Sequence, residues 1–216
     1  MRWDTLPVFF TFLVAVGSAW WLQMDVSESR PAIAVAAPLH DDHREIPPTV
    51  GANPPPLRVT ATAPDTDLIK SLRKRHLRLP LDGVALKSME GQFRQTRDGG
   101  RRGHEAIDLL APRHTPIRAV EDGTIAKLFV SKAGGTTVYQ FDESGRVCYY
   151  YAHLERYADD LKEGQDVDAG DVIGYVGTSG NAPKNTPHLH FAIFELTAER
   201  QWWKGKPLDP FEVYRD

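Results

Sequence analysis

Five short apolar runs dominate the C-terminal two thirds of the chain: "TIAKLFV" at 124–130, "TTVYQF" at 136–141, "RVCYYYAHL" at 146–154, "DVIGYVG" at 171–177 and "LHFAIF" at 189–194. Each has the length of one strand and is rich in β-branched or aromatic residues, and the runs are punctuated by Gly, Asp, Asn and Pro. The pattern predicts a mainly β domain over 79–216, an antiparallel sheet or sandwich-like arrangement with hairpins and long loops. Just before it, Asp65 or Thr66 is placed to cap a short helix within 65–78 that carries Leu68, Ile69 and Leu72 on one side. Within "VDAGDVIGYVG" the glycines Gly170, Gly174 and Gly177 are expected to permit bends. No internal repeat is present.

The N-terminal third reads differently. From Leu6 to Leu22 the chain carries no charged residue, and seventeen residues in a helix rise about 26 Å, close to the ~30 Å apolar core of a bilayer. The run is longer than the apolar region of most cleavable signals, so residues 1–24 are expected to form a retained transmembrane signal-anchor, with Trp20 and Trp21 at one interface. The alternative is cleavage in the small-residue stretch Ala32–Ala37 and secretion. Residues 25–64 hold eight of the sixteen prolines and few large apolar residues, the composition of a tether. Such a tether spans roughly 120 Å if polyproline-like and nearer 35 Å as a coil.

Composition adds exclusions. A net charge of −3 over 216 residues gives no broad positive field, which argues against nucleic acid as the partner. The clusters Arg73-Lys74-Arg75 and Arg101-Arg102 read as solvated faces. The single cysteine, Cys148, excludes an intramolecular disulfide and, within "VCYYYAHL", reads as a small buried hydrophobe.

Chemistry concentrates in two places. In "NTPHLHFAIF" strand alternation points His188 and His190 to one face. In "GRRGHEAIDLLAP" His104 and Asp108 stand four apart, a spacing that shares a face on either a helix or a strand. Together with His190 these supply two imidazoles and a carboxylate, a donor set suited to Zn²⁺ with the fourth tetrahedral position open. His40 and His43 fall in the tether, His76 at the end of the short helix, and His114 in a turn.

Three motifs, "HEAID" at 104–108, "YAHL" at 151–154 and "HLHF" at 188–191, stand in the order and at separations similar to those of the lysostaphin and LytM type zinc endopeptidases, peptidase family M23. The intervening "TPIRAVEDGTI" and "EGQDVDAGDVIGYVGTSGN" and the terminal "PLDPF" extend the resemblance over about 80–211. It implies a zinc metallopeptidase domain in which His104, Asp108 and His190 bind Zn²⁺, while His153 and His188 are catalytic, one a proton acceptor and the other an oxyanion contact, with no further cofactor. It implies peptidoglycan peptides as substrate and, with the N-terminal segment, a single-pass inner-membrane protein whose domain lies in the periplasm; any regulatory protein partner is left unspecified.

The chain departs from the family pattern at Ala106, where glycine is frequent, and in lacking a tyrosine shortly before His104. That second departure leaves Arg94 or Arg97 as candidate oxyanion contacts. The loop "GTSGNAPKN" is expected to form a groove wall. Two other function classes compete: a non-catalytic activator or scaffold of the same fold, disfavoured because all five site residues are present, and a carrier domain, disfavoured because the turn in "VDAGDVIGYVG" lacks a lysine.

Overall fold

The computed structural model of the chain describes residues 66–97 and 102–215. The expected membrane segment at 1–24 and the tether at 25–64 lie outside the described residues. Among those described, no helix is long and apolar enough to cross a membrane.

The domain is mainly antiparallel β-sheet with two short α-helices. Helix α1 (Thr66–Lys74) leads into a 3-10 turn at Leu86–Met89, the small hairpin β1 (Thr96–Arg97) and β2 (Arg102–Gly103), then β3 (Ile107–Leu110) and β4 (Pro116–Arg118). There follow β5 (Gly123–Ser131), β6 (Gly135–Asp142), β7 (Val147–Tyr157), β8 (Asp166–Val167), β9 (Val172–Val176), β10 (His188–Leu196), β11 (Gly205–Leu208) and α2 (Pro210–Tyr214). The main sheet runs β11-β10-β7-β6-β5-β8, with β3 added beside β10 and with β9 linking β7 to β4.

Strand β7 is central, and every residue from Val147 to Leu154 is buried. Burial on both faces explains why the sequence there is a continuous apolar run rather than an alternating one. Val147, Tyr149 and Tyr151 enter the main core, whereas Cys148, Ala152 and Tyr150 join a smaller cluster with Ala106, Phe129, Tyr139, Ala192 and Phe194. The sheet thus has a large hydrophobic face and a smaller, largely aromatic one.

Helix α1 is stitched into the main core. Leu68, Ile69 and Leu72 are buried in it, and fully burying one such leucine contributes about 1.5–3 kcal/mol. Arg73 fixes the helix from the outside, donating from Nε to the Glu212 carbonyl at 2.6 Å and from Nη2 to the Glu212 carboxylate at 2.9 Å. Helix α2 begins at Pro210 because Asp209 caps it, its carboxylate accepting from the Phe211 N–H.

Of the three glycines expected to permit bends, Gly170 alone does so, with φ at +96° in the turn between β8 and β9. Gly174 and Gly177 serve close approach. A Cβ on Gly174 would lie 2.5 Å from Leu154 Cδ2, and one on Gly177 would lie 2.3 Å from the Glu155 backbone nitrogen, because β9 packs tightly across the second half of β7.

Candidate metal centre

Residues 104–105 lead through a bend at Ala106 into β3. The His104 N–H donates to the Gln95 carbonyl at 2.8 Å and the Arg94 N–H to the His104 carbonyl at 2.6 Å, after which the chain enters β3. Strand β3 pairs with β10 so that Asp108 stands opposite His190, and His190 stands opposite Ala152 of β7 on its other side. Side chains directly opposite on one face of a sheet are within contact reach. The register therefore delivers the Asp108 carboxylate to the His190 imidazole, and the two-residue period delivers His188 to the same face.

Three donor atoms converge. Asp108 Oδ1 lies 2.9 Å from His190 Nδ1 and 3.2 Å from His104 Nε2, and the two nitrogens are 3.3 Å apart. A tetrahedral ion with bonds of about 2.0–2.1 Å needs ligand atoms roughly 3.3–3.4 Å apart, so this triangle fits zinc with a slight expansion. Two borderline nitrogens and one carboxylate oxygen also match zinc chemically. Burial alone would raise the Asp108 carboxyl, but its contacts with the His104 and His190 rings outweigh burial and hold the group well below the usual carboxylate range. That direction favours the carboxylate form, which a metal ligand requires.

The remaining two histidines flank this triangle. His188 Nε2 is 3.9 Å from Asp108 Oδ1, and its Nδ1–H donates to the Thr186 carbonyl at 2.8 Å. The His153 Nδ1–H donates to the Ser179 carbonyl at 2.9 Å. A carbonyl only accepts, so each bond fixes the proton on Nδ1 and leaves Nε2 of the neutral ring as an acceptor. The His153 and His188 rings are 5.0 Å apart, and His153 lies 5.6 Å from His190. Burial, with His190 and His188 adding to it, lowers His153 to about 4, so the ring is neutral near neutral pH.

His153 reaches this face through an irregularity. Strict alternation along β7 would send it to the face opposite Ala152. Instead its φ is +64°, and the pairing with β6 slips by one residue between Leu154 and Tyr151. Such a bulge inserts an extra residue and re-aims a side chain. Leu154 then returns to the main core, and His153 turns toward the metal face.

Of the expected site residues, the structure thus brings His104, Asp108, His153, His188 and His190 together. The Arg94 side chain is exposed, with its guanidinium 5.6 Å from the Phe93 ring, and the side chain of Arg97 lies outside those described. His114 and His76 stand apart, both in turns with positive φ. The loop 177–185 supports His153 through the Ser179 carbonyl and packs on the hairpin between β5 and β6. Two contributors were missed from sequence, Ser179 and Gln92. Both act through hydrogen bonds to residues distant in sequence, and neither leaves a periodic or compositional trace.

The chain is similar to known proteins. The model described as peptidase family M23 matches residues 102–210, just over half of the 216-residue chain. The chain is 33% identical over 122 residues to an L-Ala–D-Glu endopeptidase of Bacillus subtilis, covering 54% of this chain and 36% of that protein. It is 32% identical over 126 residues to the peptidoglycan DD-endopeptidase ShyC of Vibrio cholerae, covering 56% of this chain and 27% of that one. These matches therefore span roughly a third of the relatives' length. Among solved structures, the catalytic domain of lysostaphin from Staphylococcus simulans is similar at a TM-score of 0.47 and 27% identity, covering 57% of this chain and 86% of that one.

Proposed function

Because the chain belongs to peptidase family M23, we propose that it is a zinc-dependent endopeptidase hydrolysing amide bonds in peptidoglycan stem peptides or their cross-links. The observation that carries this reading is the convergence of three ligand atoms at 2.9–3.3 Å with two further imidazoles beside them, each held by a backbone carbonyl. A scaffold has no need of that second pair.

His104 through Nε2, Asp108 through its carboxylate and His190 through Nδ1 would hold the ion. Bound there, zinc supplies Lewis acidity toward a carbonyl and toward water. His153 and His188 divide the remaining work. One accepts at Nε2 the proton of the attacking water and passes it to the leaving amine. The other, once it has taken a proton at Nε2, would donate from there to the oxygen on which negative charge develops. Their Nδ1–H bonds to Ser179 and Thr186 keep both rings oriented without movement during the reaction. The Asp108 carboxylate would supply the negative charge of the donor set.

The relatives act on different bonds, one named for L-Ala–D-Glu and another for DD linkages, so the likeness supports peptidoglycan as the substrate class and not one bond. Digestion of purified peptidoglycan by the full chain, with the products weighed, tests the reading. Soluble fragments whose masses reveal new peptide ends are expected. Binding to the wall without any fragment would replace the enzyme with an activator or scaffold of the same fold.

The proposal extends to location. The uncharged run Leu6–Leu22 and the Pro-rich stretch behind it support a form anchored in the inner membrane with its domain held in the periplasm. Cell fractionation checks this: the chain should sediment with membranes and resist a high-salt wash. Recovery in the soluble fraction with an N-terminus near residue 38 would establish a cleaved signal instead.

A further inference from the structure

Gln92, ten residues ahead of the span matched by the family, touches both metal-ligand candidates of the "HEAID" segment. Its side-chain Oε1 accepts from the Asp108 N–H at 2.7 Å, and its Nε2 donates to the Asp108 carbonyl at 3.2 Å and to the Ser88 carbonyl at 2.6 Å. Its backbone carbonyl lies 3.3 Å from His104 Nδ1, which must be the donor because a carbonyl only accepts.

These contacts have a specific consequence. The Asp108 N–H and C=O both turn toward Gln92, away from β10. In an antiparallel ladder this makes Asp108 and His190 a non-hydrogen-bonded pair, the pair type with the shorter Cα separation and the closest side chains. The Gln92 amide takes the place of a further strand's peptide group, satisfying the edge of β3 at the residue where the carboxylate is presented. The same residue's carbonyl takes up the Nδ1 side of the His104 ring, which turns Nε2 toward Asp108.

We propose that Gln92 is a positioning residue for the metal centre: its side-chain amide fixes the backbone of Asp108 at the edge of β3, and so sets the distance of the Asp108 carboxylate from His104 and His190. The role rests on the zinc reading of the site. The ligand it serves is a small, tetrahedrally coordinated divalent cation, and the effect on any substrate is indirect.

The test uses the full chain and the metal alone. Zinc affinity is measured by competition with a chromophoric chelator, and coordination geometry by the visible spectrum after Co²⁺ substitution, which a loss of general stability does not shift. Gln92→Met keeps the length of the side chain and removes every side-chain hydrogen bond. It is expected to weaken zinc binding about 10–100-fold, the usual effect of removing a partner behind a metal ligand, and to shift the Co²⁺ bands. Gln92→Asn, which withdraws the amide by one carbon, is expected to move both readouts in the same direction and serves if the methionine variant does not fold. Wild-type affinity and an unchanged spectrum in a folded variant would overturn the role of Gln92 while leaving the zinc site intact. A wild-type chain that takes up no zinc overturns the zinc reading, and this role with it.

Discussion

Replacing Gly180 by alanine should disable the site without altering any side chain in it. Gly180 has φ at +68°, and a Cβ placed there would lie 2.3 Å from the Gly135 nitrogen, 2.5 Å from the Ala133 carbonyl oxygen and 2.8 Å from the Gly134 carbonyl carbon. All three are backbone atoms, so no side-chain rotation relieves the collision, and the loop must lift from the hairpin between β5 and β6. Two hydrogen bonds tie them: Asn181 N–H to the Ala133 carbonyl at 3.0 Å, and Thr136 N–H to Ser179 Oγ at 2.9 Å. The Ser179 carbonyl that orients His153 moves with the loop. Gly164 supplies the control, since its φ is +79° and a Cβ there meets nothing within 4 Å. Left-handed alanine costs about 1–2 kcal/mol at either position. Losing two hydrogen bonds at about 0.5–1.5 kcal/mol each adds about 1–3 kcal/mol at Gly180 alone. Urea unfolding should therefore rank wild type above Gly164→Ala and Gly164→Ala above Gly180→Ala. Hydrolysis of peptidoglycan should be retained in Gly164→Ala and fall about 10²-fold in Gly180→Ala, the scale expected when a reacting group is misplaced by about 1 Å. Equal stability and equal activity in the two variants would refute the claim that the loop is clamped to the hairpin and holds His153 in place.

His153→Ala and His188→Ala should each retain zinc by elemental analysis yet lose at least ~10²-fold in hydrolysis, because they are assigned to proton transfer and oxyanion contact; zinc lost with either ring would make that residue a ligand. Cys148 is fully buried, and burial, with the Asp142 charge adding to it, pushes its thiol up; mass spectrometry should find it unmodified by iodoacetamide at pH 8 in the native chain and fully modified in urea, and rapid native labelling would contradict the packing. Leu72→Ala should cost about 2–5 kcal/mol in urea unfolding, because Leu72 is wholly buried in the main core; a cost near zero would mean that α1 does not contribute to the domain's stability.

Much of this architecture is legible in the order of residues alone. The five apolar runs form β5, β6, β7, β9 and β10, and Leu68, Ile69 and Leu72 mark the buried side of α1. Strands of two to four residues such as β3, β4 and β11 are too short for a period to register, and α2 is a single turn and a half stopped short by Arg215. The ligand set is accessible because His104 and Asp108 obey local spacing, and His190 shares its strand face with His188. His153 is accessible only by resemblance: its face depends on a bulge defined against β6, and nothing within "YAHL" states that one residue there is extra. Gln92 is invisible for a related reason. Its partner Asp108 lies sixteen residues on, and glutamine in a turn carries no pattern of its own.

The central claim is that His104, Asp108 and His190 form a zinc centre on which hydrolysis depends. The most direct measurement is cleavage of purified peptidoglycan by the metal-stripped full chain as zinc is returned in known ratio. Activity should be absent at first, rise in proportion to added zinc and level off at one ion per chain, while His190→Ala stays inactive over the same range. Full activity in the stripped chain, or none after one equivalent of zinc has bound, would contradict the account.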